Sequence, residues 1–448
     1  MSFVAPERPN PFSERPLLTT LVVASLTIPL LGLIMFSTVA SPAETLLALI
    51  AIASVVVLLL RVEAALLLLV AASALEEAFQ LSSNPQLTVT KLAGAICFAS
   101  FVRYALTSRR KLLLDRSHAV VVGILLLALA STVQAFEASI AVATTTRYAS
   151  FVALYVIVSQ FVGAHRLQRQ IAWVLTIAST VGAVVALRSY FTGETVVATL
   201  PYANPSDFAF ILATTLPLSF WLLGAAPRWR LPLFGAIGLI SAATVLSLSR
   251  GTIVGLAAGL AWMVIVDRRH IRYLIGGGLL ALTIALLVIR SDPSRFETAL
   301  LYKEKVADYN VTTRYDAWFA AADLAAEKPL LGVGPGNFRF YYNDRTGRPA
   351  GTHNLFVAHN AYLDMAAELG VGGMILFLIY LGMTMSRLTV AARRGNGPPG
   401  YARALRVSLI IAIVAAVFVS EQYYAPFWLF GGLATAVWAE GGRPRRQV

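Results

Sequence analysis

Apolar stretches of about 17 to 25 residues recur along nearly the whole chain. Each is long enough to cross the hydrocarbon core of a bilayer as a helix that satisfies its own backbone hydrogen bonds. Of the 448 residues 58% are apolar and 13% charged, whereas soluble domains average roughly 45–50% and about 25%. Mean hydropathy is +0.72. A stable water-soluble fold is excluded, because so few polar side chains cannot cover so much apolar surface. The single cysteine, Cys97, lies inside an apolar stretch, so neither an intramolecular disulfide nor a cysteine-based metal cluster can form.

Hydropathy places spans at 17–36, 43–60, 62–76, 87–106, 117–136, 147–163, 170–191, 206–224, 231–248, 251–266, 273–289, 361–386, 405–421 and 426–439. The segments 62–76 and 426–439 are short enough to be tilted, re-entrant or half-spanning. The expected fold is therefore an all-α integral membrane protein, a polytopic bundle of about 12–14 transmembrane helices. Residues 1–448 are read as one membrane domain without internal repeats. The run from Leu17 to Phe36 follows a polar, proline-rich start and is long enough to span, so it is expected to stay as a helix rather than be cleaved as a signal peptide.

A net charge of +13 could suggest nucleic acid as a partner, but the positions of the charges decide the matter. With the N-terminus in the cytoplasm, the clusters Arg103 to Arg116, Arg166 and Arg169, Arg228 and Arg230, Arg268 to Arg272, Arg387 to Arg406 and Arg443 to Arg446 all fall on the cytoplasmic side. Glu76, Glu77, Glu137, Glu194 and Glu421 fall opposite. This is the positive-inside pattern, so the basic residues record topology and contact with lipid headgroups rather than nucleic-acid binding. Both termini are expected to be cytoplasmic. One connection, 290–358, is far longer than the rest and falls on the outer side; loops of that length usually carry function. Within it, Thr313 to Lys328 has the apolar spacing of a short helix and Leu331 to Asn337 is a Gly/Pro-rich turn.

Ionisable residues near the membrane are costly to keep and so are candidates for function. Arg250 stands between two apolar runs in Ser247-Leu248-Ser249-Arg250-Gly251 and either snorkels to the interface or binds an anion. Arg314 opens the loop helix and either pairs with Asp316 or Glu304 or binds an anionic group. His353-Asn354 and His359-Asn360 precede the span that begins near Ala361. A histidine there can exchange protons near neutral pH, and the free N–H groups of a helix start favour an anion. Asp364 and Glu368 share one face of that helix, roughly 6 Å apart in axial rise, and either clamp neighbouring helices or support a site. No metal-ligand spacing and no nucleophile elbow is present. The segment Gly332-Val333-Gly334-Pro335-Gly336 lacks the context of a nucleotide loop and is read as a turn.

Four segments carry a resemblance. They are Tyr202-Ala203-Asn204-Pro205-Ser206-Asp207-Phe208-Ala209, the Ser247 to Gly251 turn, Arg314 to Trp318 with Gly332 to Phe338, and His359-Asn360 followed by Gly370, Gly372 and Gly373. In this order and layout the chain resembles the O-antigen ligase and polymerase family of bacterial envelope glycan enzymes, over a motif region of 202–386. The resemblance implies a GT-C-like enzyme of the inner (cytoplasmic) membrane, its active site facing the periplasm. It would move a glycan from undecaprenyl pyrophosphate to a sugar hydroxyl without metal or cofactor. Arg250 and Arg314 would hold the pyrophosphate and His359 would activate the acceptor. His353, Asn360, Asp364, Glu368 and Asn204 would bind acceptor or support the site. The acceptor is lipid A core for a ligase or a lipid-linked repeat unit for a polymerase, and the glycine spacing leans toward the ligase. A transporter or flippase is the reading of a different class, against which stands the clustering of charges at the outer face rather than the midplane.

Overall fold

The computed structural model describes residues 53–75, 89–108, 112–161, 163–200, 203–266, 283, 286, 287, 289–346 and 357–441, all of them helix, turn or connection with no strand among the described residues. The helices are α1 (Ala53–Leu60), α2 (Val62–Ala74), α3 (Val89–Thr107), α4 (Arg116–Thr132), α5 (Ala138–Ser159), α6 (His165–Thr192) and α7 (Pro205–Ala225). They continue as α8 (Arg230–Leu246), α9 (Arg250–Val266), α10 (Pro293–Glu327), α11 (Phe338–Thr346), α12 (Ala361–Arg394), α13 (Tyr401–Ala415) and α14 (Ala425–Glu440). Six described spans, α3, α5, α6, α7, α8 with the short turn before it, and α12, are long and apolar enough to cross a membrane, or seven if α1 and α2, bent by 111°, are one broken span. The chain is a polytopic α-helical membrane protein. The expected spans 17–36, most of 273–289 and the first part of 43–60 lie outside the described residues, as do both chain ends.

α12 is the hub of the bundle, packing against α4, α10, α13 and α14. Asn360 caps its start, accepting from the N–H groups of Tyr362 (3.1 Å) and Leu363 (3.2 Å), and Gly395 ends it in the left-handed conformation after Arg393 and Arg394. Arg387, buried near its far end, donates to Asp115 Oδ2 at 2.8 Å and to Thr435 Oγ1 at 2.6 Å, so its charge is paired rather than stranded among apolar groups.

The helix is broken at Gly370, where φ is 77° and ψ 174°. Ala367 O and Glu368 O lose their helical partners and accept instead from Val333 N (2.8 Å) and Gly334 N (3.1 Å). Val371 N donates to Pro329 O at 2.9 Å, and Ser131 Oγ on α4 also donates to Glu368 O at 2.7 Å. The Gly332 to Asn337 turn is thus threaded into the break, as a turn, in agreement with the sequence reading. Asn337 is fully buried and ties it to the α4–α5 connection through Glu137 N at 2.8 Å.

α10 is longer than expected. The segment 313–328 forms only the last part of a 35-residue helix that begins at Pro293, with Asp292 accepting from Arg295 N at 3.0 Å. Its first half is too polar for hydropathy to mark, while proline at the first position and an aspartate cap favour helix there. At the other end Ala317, Ala320, Ala321 and Leu324 recur at helical spacing and bury a stripe of small side chains against Val333, Ala358 and Ala367. This stripe carries the long helix onto the start of α12.

Two glycines of this junction have no substitute. A Cβ at Gly332 would lie 2.4 Å from Ala367 O, and one at Gly370 would lie 2.6 Å from Pro329 O, both at positive φ. Gly332→Ala and Gly370→Ala should each cost about 1–3 kcal/mol or more, read as a lowered Tm in detergent. Gly382→Ala on the same helix meets nothing within 4 Å and should leave Tm unchanged or raise it slightly. Equal Tm for all three would contradict the packing described.

Candidate active site

The four motif segments converge on one end of the bundle through a chain of contacts. Asn204 caps α7 by accepting from Ser206 N at 2.9 Å, and Ser206 O accepts from Thr252 Oγ1 in the first turn of α9 at 3.5 Å. Between α8 and α9 the Ser247 to Ser249 turn holds Leu248 at φ 53°, a conformation that costs a non-glycine residue energy. A Cβ on Gly251 would come within 2.4 Å of Phe418, so the start of α9 presses on the segment after α13. Ala416 O in that segment accepts from Ala361 N at 2.9 Å, which brings in the start of α12.

His359 sits in the turn that enters α12, with φ at 50°. Asp364, one turn into the helix and buried, accepts from Ala358 N at 3.0 Å through Oδ1. Together with the Asn360 cap this fixes the backbone on both sides of the histidine. His359 itself is half-buried. Burial first, and then the positive charge of Arg314, lower its pKa from the ordinary 6.5 to about 4, so the imidazole is neutral at physiological pH.

Arg314 reaches the same place from α10. Its pKa is lowered by burial and then by the like charge of Arg250. Arg314 is half-buried, and its Nε is buried without a hydrogen bond. Arg250 opens α9 and is exposed. The side chain of Glu304 lies outside the described residues. A half-buried guanidinium with an unsatisfied Nε is suited to an anionic ligand.

The remaining residues support this arrangement. Glu368, buried, accepts from Tyr423 Oη and is faced by the backbone N–H groups of Gly336 and Phe338, so it clamps α12 to the Gly-rich turn and to the segment before α14. Asn204 and Asn360 act as helix caps. His353 lies outside the described residues. Sequence reasoning missed Tyr424, whose hydroxyl donates to Asp207 Oδ2 at 2.6 Å, and Arg147, whose guanidinium stands 6.0 Å from the Tyr424 ring centroid. A carboxylate in the first turn of α7 was a signal for Asp207; the tyrosine had none. Among the described residues no three His, Cys, Asp or Glu side chains gather as a metal site.

The fold and this site define a polytopic helical membrane protein with a half-buried arginine and a neutral histidine near the start of α12. Residues 235–378 match the O-Antigen ligase family, a span that contains three of the four motif segments, the Asn204 segment lying before it. The match supports the O-antigen ligase and polymerase family for this chain and, with it, glycan transfer as the general activity. No curated protein matches the sequence.

Asp364→Ala would strand the buried Ala358 N–H and cost about 1–3 kcal/mol. It should lower Tm and raise the labelling of His359 by diethyl pyrocarbonate, whereas Asp364→Asn, which keeps an acceptor oxygen, should retain most of both. An alanine variant with unchanged Tm and labelling would contradict the positioning of His359 by this carboxylate.

Proposed function

We propose that the protein is a glycosyltransferase of the O-antigen ligase type, which moves a glycan from undecaprenyl pyrophosphate to a hydroxyl of lipid A core. The observation that supports this reading is the half-buried Arg314, its Nε without a hydrogen bond, on a helix packed against the start of α12 where the His359 turn stands. His359 takes the proton of the acceptor hydroxyl as its oxygen attacks the anomeric carbon. The bond from that carbon to the pyrophosphate oxygen breaks, and the electron pair leaves with the pyrophosphate. Arg250 and Arg314 meet the charge that develops there, since guanidinium groups bind phosphate oxygens in pairs. No step calls for a metal ion.

The protein is a multi-pass protein of the inner membrane on this reading, with both termini in the cytoplasm and the site open to the periplasm. The one-sided distribution of arginines supports that orientation, and it suits a donor whose glycan is displayed on the periplasmic face of the membrane.

Purified protein should transfer glycan from the lipid-linked donor to lipid A core in the presence of EDTA. His359→Ala should lower the rate by about 10²–10⁴, and Arg314→Ala by about 10²–10³, with Tm unchanged. Product formed only on a second lipid-linked repeat unit would make the protein a polymerase. Full activity in the His359 variant would refute the base, and movement of donor across vesicles without covalent product would mark a transporter.

The pH profile gives a second test. A lowered pKa keeps His359 able to accept a proton down to about pH 4, so kcat/KM, which reports the free enzyme, should hold level below neutral pH and fall only as that value is neared. In kcat the bound pyrophosphate offsets the repulsion from Arg314, and the acid limb should move up toward the ordinary 6.5. Coincident acid limbs would contradict the electrostatic account.

A further inference from the structure

Arg314 and Trp318 stand four residues apart on α10, hence on one face of the helix and roughly 6 Å apart in axial rise. Both are half-buried, and each carries a buried donor that meets no acceptor, Nε of the guanidinium and Nε1 of the indole. Indoles elsewhere in the bundle find one: Trp428 Nε1 donates to Gln422 O at 3.1 Å and Trp221 Nε1 to Pro399 O at 2.8 Å. Ala317 lies three residues on from Arg314 and Ala321 three on from Trp318, so the two donors border the apolar stripe that packs with Ala358, the residue before His359. Tyr315 packs edge-on against the Trp318 ring, centroids 6.0 Å apart, and braces it.

We infer that the indole N–H of Trp318 donates to a phosphate oxygen of the donor's pyrophosphate alongside Arg314, an inference that rests on the function proposed above. An indole N–H only donates, so its partner must bring a lone pair. Beside a guanidinium the partner best suited is an anion, whose oxygens accept from both groups through charge-assisted bonds. A buried donor left bare is costly, so meeting both donors at once favours the bound state. The indole adds direction to the site without adding charge.

Binding of undecaprenyl pyrophosphate, without glycan, to the full-length protein in detergent tests this. Trp318→Phe removes the N–H and keeps a ring; it should raise Kd roughly tenfold to a hundredfold with Tm unchanged. Trp318→His restores a ring N–H and should recover part of the affinity. Failure of wild type to bind the pyrophosphate would refute the proposed function and the inference together. Binding by wild type that survives intact in folded Trp318→Phe would overturn the inference alone. So would an equal loss in the phenylalanine and histidine variants, or an equal loss for undecaprenol, either of which would assign Trp318 to packing. A loss that appears only when the donor carries glycan would place the indole on a sugar and overturn it too.

Discussion

A helix inside a membrane can break only where every carbonyl and amide released by the break finds another partner, because each one left bare in hydrocarbon costs several kcal/mol. α12 breaks at Gly370, and the Gly332 to Gly334 backbone takes up its released carbonyls while Pro329 O receives the released amide. Three separated pieces of chain are fixed by that exchange: the hub helix, the turn after α10, and, through Ser131 and Asn337, the α4–α5 connection. The position of α10, and so of Arg314, follows from it.

The site inherits its electrostatics from this packing. With the small residues of α10 pressed on α12, Arg314 is carried toward the start of α12 and is partly withdrawn from water. The same withdrawal keeps the histidine neutral. Among the described residues two non-glycine residues are held at positive φ, Leu248 just before Arg250 and His359 in the turn into α12. Strain of this kind persists only where surrounding structure enforces it. Here the Asn360 cap and the bond from Ala358 N to Asp364 enforce it at the histidine.

Hydropathy made the helices legible because membrane helices must be apolar over a fixed length; expected spans at 170–191, 206–224 and 361–386 lie within α6, α7 and α12. It failed on the first half of α10, whose polar residues resemble a loop to any scale based on burial in lipid. Arg250, Arg314 and His359 were legible as charged or titratable residues in the wrong solvent, and the four-segment resemblance joined them. Their convergence was not, since it depends on long-range contacts such as Gly251 against Phe418. Nor was the role of Gly370, because a glycine in an apolar helix looks the same whether it lets helices approach or breaks one. The tyrosines Tyr423 and Tyr424, which hold Glu368 and Asp207, sit in a segment with no pattern of its own.

The central claim is that Arg250 and Arg314 hold the pyrophosphate of the donor with His359 facing it. The most direct measurement is an electron cryomicroscopy map of the full-length protein with undecaprenyl pyrophosphate bound. The account expects phosphate density within hydrogen-bonding reach of both guanidinium groups, with the His359 ring turned toward the space beyond it. Phosphate density seated elsewhere, with Arg250 and Arg314 unchanged and turned away from it, would contradict the account.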